Sequence, residues 1–294
     1  MNETADVLVS VTIVRPEERL LLRALRATGL TARSVTPRHT AAILNGAVPP
    51  PRAVLLRNVS HRELAAMSDR FEQAGIETLN TPGAVRLCLS KDLQAIAFAR
   101  SGVPHPTTHV AFSVEQVGEY VAALGGDAVL KPISGSWGRG VVRVSDAAQL
   151  DAWAGGREGL DPRGTHFPVV VQQYVPKPGY NLRVHVVGHR PVVAYRQVSP
   201  GLRTNTHQGG AVQPVPVTDR ARELCDRVVD CFGPGFYGID LVESVETGEM
   251  WVLEVNTNPD FARSSEIHGV DIPGHVAEYV RDRVFATIPT GVAA

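Results

Sequence analysis

Cysteine, net charge and long apolar runs are all scarce in this sequence, and each scarcity removes a class of protein. The three cysteines, Cys88, Cys225 and Cys231, are few and odd in number, as expected in a reducing cytosol rather than in a disulfide framework. Cys225 and Cys231 fall on one expected helix, Ala221 to Phe232. Their spacing matches no metal signature, so both read as core thiols. No stretch approaches the roughly eighteen apolar residues of a membrane span. Met1 to Asp6 has neither the basic flank nor the apolar core of a signal peptide, so a cytoplasmic location is expected. A net charge of −1 over 294 residues, with no long basic run, leaves no electrostatic footprint for nucleic acid. Missing too are a Gly-x-Gly-x-x-Gly after the first strand, a Walker loop, a Gly-x-Ser-x-Gly elbow and a His-Glu-x-x-His pair.

What the chain does have is alternation. Val7 to Val14 reads as a buried strand and Glu17 to Thr28 as a helix stopped by Gly29. A strand at Ala53–Arg57, a helix at Glu63–Ala74 and a short strand at Ile76–Leu79 follow, which predicts an open, largely parallel α/β unit. Ser90 opens a helix over Lys91–Arg100, and strands and a helix lead to Ala128–Lys131. Ala152 to Pro168 is rich in Gly, Asp and Pro and reads as a linker. Strands then dominate, apart from a helix over Thr218–Phe232 and a closing helix over Gly274–Ala286. The expected divisions are 1–88, 89–168 and 169–294: an α/β unit, a unit with a glycine-rich flap, and an antiparallel sheet.

The most informative stretch is the hairpin Phe236–Ser244 with Trp251–Asn258. Folded about Thr247, it sets Asp240 opposite Glu254, with Asn256 on the same face because side chains alternate with period two. Facing carboxylates repel unless one is protonated or a cation lies between them, and two carboxylates with an amide oxygen suit Mg²⁺. A solvated strand face carrying two unrelated acids is the other reading of this hairpin alone. Similarly, Lys131 precedes the loop Pro132–Gly140, which joins two strands. It is either a long hairpin or a flap whose amides hold nucleotide phosphates. Arg183 and Arg196 alternate with apolar neighbours and must find solvent or anions, and Arg203 lies in a polar glycine-rich loop. Arg57-Asn58 ends a strand where ligand groups of α/β sheets usually sit.

In combination these parts fit phosphoryl transfer, which needs positioning and charge more than covalent help. The chain resembles the ATP-grasp carboxylate–amine ligases of the RimK/LysX group. The carrying residues are Lys91 in Ser-Lys-Asp, Lys131-Pro, the Ser134–Gly140 loop, Val171-Gln-Gln-Tyr-Val, Asn181-Leu-Arg183, Arg203-Thr-Asn205, Gly238-Ile-Asp240 and Glu254-Val-Asn256. The resemblance implies a three-part α/β ATP-grasp fold with ATP between two antiparallel sheets. It further implies nucleotide contacts from Lys91, Lys131, Ser134, Gly135, Ser136, Trp137, Gly138, Gln172, Gln173, Tyr174, Val175, Asn181, Arg183, Arg203, Thr204 and Asn205. Arg183, Arg203 and Asn205 form the implied catalytic set. Asp240, Glu254 and Asn256 would hold one or two Mg²⁺, or Mn²⁺ in their place. Arg57, Asn58, Arg196, Asn258 and Phe261 are the substrate-side candidates.

The N-terminal Arg15-Pro-Glu-Glu-Arg and the segment Asn256–Ser265 look more like LysX than RimK. LysX-type enzymes join an amino acid's α-amine to the C-terminal glutamate of a small acidic carrier protein, and RimK-type enzymes add glutamate to a protein C-terminus. A third alternative is a ligase of free amino acids or small peptides, and a fourth is a non-catalytic nucleotide-binding protein on the same fold, against which all three metal-ligand positions and both lysines are present. The resemblance also implies a homodimer or homotetramer. Three positions depart from the family pattern: Asn181 replaces an aspartate, Gln173 replaces a glutamate, and Asn256-Thr-Asn258-Pro lacks the segment associated with LysX of primary metabolism.

Overall fold

An apolar strand run can be a central parallel strand only if helices cover both of its faces, and the first unit is built that way. A computed structural model describes residues 5–135, 138–160, 167–198 and 211–286. In it β1 (Val7–Val11) is buried throughout. It is followed by α1 (Pro16–Ala27), β2 (Ala32–Val35), α2 (Ala41–Leu44), β3 (Ala53–Arg57), α3 (His61–Gln73), β4 (Glu77–Leu79) and α4 (Pro82–Leu89). The four strands form a parallel sheet in the order β2-β1-β3-β4. The first strand stops at Val11, short of the expected Val14, and Ile13 and Val14 lie exposed before α1.

The central unit holds α5 (Lys91–Ser101), β5 (Thr108–Ala111), α6 (Val114–Ala123), β6 (Ala128–Pro132), β7 (Val142–Val144), α7 (Ala147–Leu160) and β8 (Val169–Gln173). Its antiparallel sheet runs β5-β8-β6-β7. Ala128, Leu130, Val144 and Val171 face a core under α6 and α7, so Val129, Lys131 and Gln172 turn the other way. The expected linker at Ala152–Pro168 is therefore partly wrong, because α7 runs through it to Leu160. Leu150, Trp153 and Ala154 pack on the central core, and that burial outweighs the helix-weakening Gly155-Gly156. A boundary after 168 would also cut β8 from the sheet to which it is hydrogen-bonded. We propose placing that boundary after β8.

The last unit comprises β9 (Tyr180–Gly188), β10 (Arg190–Val198), β11 (Ala211–Val215), α8 (Asp219–Phe232), β12 (Gly235–Glu243), β13 (Met250–Asn256), α9 (Ala262–His268) and α10 (Ile272–Ala286). Its antiparallel sheet runs β11-β10-β9-β12-β13. One face carries Val184, Val186, Ile239, Leu241, Val252 and Val255 against the apolar stripe of α8, which includes Leu224, Cys225, Val228 and Phe232. Cys225 is thus a core thiol, as expected. α10 returns to the first unit, where Val276 and Val280 share a core with Leu21 and Leu25 of α1. None of the described helices is long and apolar enough to cross a membrane.

Candidate active site

The polar faces of the two antiparallel sheets look at each other across a cavity of about 230 Å³, to which the first unit adds Arg15, Asn58 and His61. On the C-terminal side, Asp240 pairs with Glu254 across β12 and β13, and with Arg183 across β12 and β9. Arg183 grips Asp240 as a fork, donating through Nε at 2.7 Å and Nη2 at 2.5 Å. Burial works against the Arg183 charge, but the adjoining Asp240 carboxylate more than restores it, so its pKa lies above the ordinary value. Asn256 Nδ2 lies 3.4 Å from Asp240 Oδ2, so the three expected metal ligands converge on one face.

β13 is an edge strand, and unpaired edge amides need partners. Gln94 of α5 supplies them, donating to Val255 O at 3.0 Å and accepting from Val255 N at 2.9 Å. That amide clamp fixes the backbone between Glu254 and Asn256. The same helix begins with Lys91, whose Nζ is 3.0 Å from Glu254 Oε1 and donates to Gly135 O in the flap at 2.9 Å. Burial alone would raise the Glu254 pKa, but Lys91 and Lys131, with Arg183 behind them, hold it below the usual carboxylate range. Among the described residues no three His, Cys, Asp or Glu side chains converge. Two carboxylates and an amide are less than a full metal shell, which fits Mg²⁺, an ion that keeps waters and substrate phosphates as ligands.

Opposite stands Lys131, donating to Gln172 Oε1 at 2.5 Å, while Gln172 Nε2 donates to Thr108 Oγ1 at 3.0 Å. Desolvation brings the Lys131 pKa down to about 8, Glu254 resists that fall, and Lys91 and Lys177 add to it. Lys177 lies in the loop after β8 and was not foreseen. It donates to Asn181 Oδ1 at 2.9 Å, and desolvation brings its pKa also to about 8. Gln173, Tyr174 and Val175 line the same cavity. Gln173 Oε1 accepts from Thr107 N at 3.3 Å, and Arg143 lies 3.6 Å over the Tyr174 ring.

The structure gathers most of the expected site residues on this cavity: Lys91, Lys131, Gly135, Gly138, Gln172 to Val175, Asn181, Arg183, Asp240, Glu254, Asn256, Asn58 and Asn258. Ser134 is not on its wall, but its hydroxyl lies 3.2 Å from His61 Nδ1. Three substrate candidates are misplaced. Arg57 is 1% exposed and bound to Glu18 at 3.2 Å, inside the core rather than on the cavity. Phe261 is buried beside it, under the Arg57 guanidinium. Arg196 is on the opposite sheet face, over the Tyr180 ring, because Tyr195 and Gln197 take the cavity side of β10. Ser136, Trp137, Arg203, Thr204 and Asn205 lie outside the described residues. Sequence patterning does not point to His61, Lys177 or Asp260 on the wall; Arg139 enters it with the flap, and Arg15 stands out in the sequence only for its motif.

Comparison with known proteins identifies the family. Residues 90–280 match the RimK-like ATP-grasp domain, and residues 7–87 match the LysX preATP-grasp domain. An α-aminoadipate–LysW ligase, LysX, of Saccharolobus solfataricus is 31% identical over 76% of this chain and 80% of its own. A glutamate–LysW ligase, ArgX, of Sulfurisphaera tokodaii is 26% identical over 94% of this chain and 98% of its own. Among solved structures, a RimK-domain ATP-grasp protein of Sphaerobacter thermophilus superposes with a TM-score of 0.76. It is 26% identical, over 94% of this chain and 99% of its own.

Proposed function

The chain belongs to the RimK-like ATP-grasp ligases and carries a LysX-type domain in front, and from that premise we propose that it activates the C-terminal glutamate of a small acidic carrier protein with MgATP and joins it to the α-amine of an amino acid. Membership makes it a carboxylate–amine ligase, and ATP-grasp ligases use ATP and Mg²⁺. The carrier and the amino acid are our reading, supported by relatives named for ligating α-aminoadipate and glutamate to LysW.

The observation that carries the reading is the charge of the cavity wall. Among the described residues of the wall, Arg15, Lys91, Lys131, Arg139, Lys177 and Arg183 stand with Asp240, Glu254 and Asp260. Cations partly removed from water need anions, and a polyphosphate with an acidic peptide end supplies them. Lys91, Lys131 and Lys177 would offset phosphate charge, with Arg183 held ready by Asp240. Gln173 to Val175 would border the base, and Asp240, Glu254 and Asn256 would hold Mg²⁺. ATP supplies the phosphoryl group that turns a carboxylate into a reactive acyl phosphate. The protein's part is to position both partners and to exclude water that would hydrolyse the acyl phosphate before the amine displaces its phosphate.

The test is ADP release with MgATP, offering a peptide that ends in glutamate against free amino acids, with mass spectrometry of products. Hydroxylamine added without an amino acid should trap the activated peptide as a hydroxamate. A mass gain on the peptide supports the carrier reading. ADP formed only with free amino acids would replace it with a small-molecule ligase.

A further inference from the structure

In an open parallel sheet the ligand crevice opens at the carboxyl ends of two neighbouring strands whose chains leave to opposite sides. Here those strands are β1 and β3, central in the order β2-β1-β3-β4. α1 packs with Val7, Val9 and Val11 on one face of the sheet, and α3 packs with Leu8, Val54 and Leu56 on the other. The loops that leave the two strands, residues 12–15 and 58–60, therefore flank the crevice, and Arg15, Asn58 and Val59 from them line the cavity. Thr12 ties the loops together, its hydroxyl accepting from Val59 N at 3.2 Å.

Asn58 is 1% exposed. Ser10, fully buried in β1, donates to Asn58 Oδ1 at 2.9 Å, and Asn258 Nδ2 donates to the Asn58 backbone O at 3.0 Å. Each side-chain amide is thus held at one end and left open at the other. Asn58 Nδ2 and Asn258 Oδ1 are buried, have no hydrogen-bond partner among the described residues, and belong to residues that line the cavity. Buried polar atoms are normally paired, so these two mark the place of a polar ligand.

A free donor beside a free acceptor complements the C=O and N–H that one extended residue presents on the same side. The chain uses that complement on itself twice, Gln94 on the backbone of Val255 and Asn80 on that of Phe236. Asn58 and Asn258 offer the same pattern, split over two side chains on the cavity wall. Asn258 stands two residues beyond Asn256, at most about 7 Å along the chain. A peptide held at the asparagine pair by its next-to-last residue has one residue left to carry its carboxylate to the side of Asn256 and the lysines.

We propose that Asn58 and Asn258 read the backbone of the carboxylate substrate, taking the C=O and N–H of its next-to-last residue, and so select a peptide end over a free amino acid. A free amino acid has no such residue and would leave both buried atoms unpaired. The inference rests on the ligase reading for what then happens to the carboxylate, but the contact itself is read by binding.

The measurement is calorimetric titration of the full chain with MgADP, comparing N-acetyl-alanyl-glutamate with O-acetyl-lactyl-glutamate. In the second ligand an ester oxygen replaces the N–H of the next-to-last residue. Wild type should bind the amide at least about fivefold more tightly, the span of a buried hydrogen bond whose acceptor the ester leaves unsatisfied. Asn258→Leu removes that acceptor and should bring the amide-to-ester ratio towards one. Asn58→Leu removes the donor to a C=O that both ligands carry, so it should weaken both and preserve the ratio. Equal affinity for amide and ester in wild type, a ratio that survives Asn258→Leu, or no binding of the amide would overturn the proposal, and the wild-type comparison needs no variant to fold. Failure of the ligase reading is separate and shows as no hydroxamate from wild type and a peptide ending in glutamate, whatever the binding preference.

Discussion

Replacing Lys131 by methionine should make the ligand-free protein more stable while weakening its hold on MgATP. Desolvation, opposed by Glu254 and helped by Lys91 and Lys177, takes the Lys131 pKa from an ordinary 10.5 to about 8. A lysine whose pKa is depressed by folding penalises the fold wherever it is charged in both states. The penalty is full below about pH 8, shrinks as pH rises, and is gone above 10.5, where the unfolded chain is neutral too. At about 1.4 kcal/mol per pH unit it amounts to about 3 kcal/mol. Methionine has a similar shape and no charge to desolvate. It forfeits the hydrogen bond to Gln172, about 1 kcal/mol, so the expected net gain near pH 7 is about 2 kcal/mol. Urea unfolding of both proteins in chelator should show that gain at pH 7 and lose it towards pH 10.5. With saturating MgATP the order should reverse, because the polyphosphate rewards the charge that the empty cavity penalises. A variant less stable than wild type at pH 7, or a difference that does not shrink with rising pH, would refute the idea that the desolvated Lys131 charge penalises the fold.

Three further substitutions test the placement of other charges. Asp240→Asn leaves Arg183 without its carboxylate, so urea unfolding should report a loss of about 3–5 kcal/mol. MgATP-dependent ADP release should fall at least about a hundredfold in the same variant. Arg57→Met strands the fully buried Glu18 with Arg15 as its remaining partner and should cost about 3–5 kcal/mol in the same measurement. Arg196→Ala, on the far face of its sheet, should leave ADP release unchanged; a fall of about tenfold or more would place Arg196 back in the site.

The metal-side reading and the Arg196 error have the same source, the parity of strands. Folding the β12–β13 hairpin about Thr247 sets Asp240 against Glu254, and that pair is present. Nearer the turn the pairs are Leu241–Val252 and Glu243–Met250, one residue out of step with that fold. An irregularity after Asp240 restores the register where Asp240 and Glu254 sit. β9 and β10 show the opposite outcome. Counting outward from Val187–Arg190 without interruption would set Arg196 opposite Asn181, on the cavity face. The shift between Pro191 and Val193 sets it opposite Leu182 instead, and Tyr195 opposite Arg183. A bulge leaves no reliable trace in residue type, so parity was legible in one hairpin and not in the other. Lys177 lies in a loop, where periodicity gives no orientation, and Arg15 meets Asp260 across 245 residues, beyond any local pattern. The helix α7 was missed because its packing on the central core outweighs its own weak propensity.

The β12–β13 hairpin also depends on parts of the chain outside it. Gln94 holds the backbone of Val255 from α5. Asn80, after β4, accepts from Phe236 N at 2.6 Å and donates to Phe236 O at 2.8 Å. Arg57, at the end of β3, holds the carbonyl of Pro259. Each is a buried polar side chain reaching from another element to a backbone group at one end of the hairpin, and the apolar core between α1 and α10 supports the same junction. Such anchors position without reacting, so their loss should displace Asp240, Glu254 and Asn256 together rather than remove one function. The charges work against that order in the empty protein, since Lys91, Lys131 and Lys177 converge from separate segments on one space. These anchors hold the units together while the clustered lysines press them apart, and an anionic ligand removes the second effect without disturbing the first. Ligand binding should therefore stiffen the junction between the two antiparallel sheets more than the interior of either sheet, and amide hydrogen exchange of β6 and β13 with and without MgATP would show it.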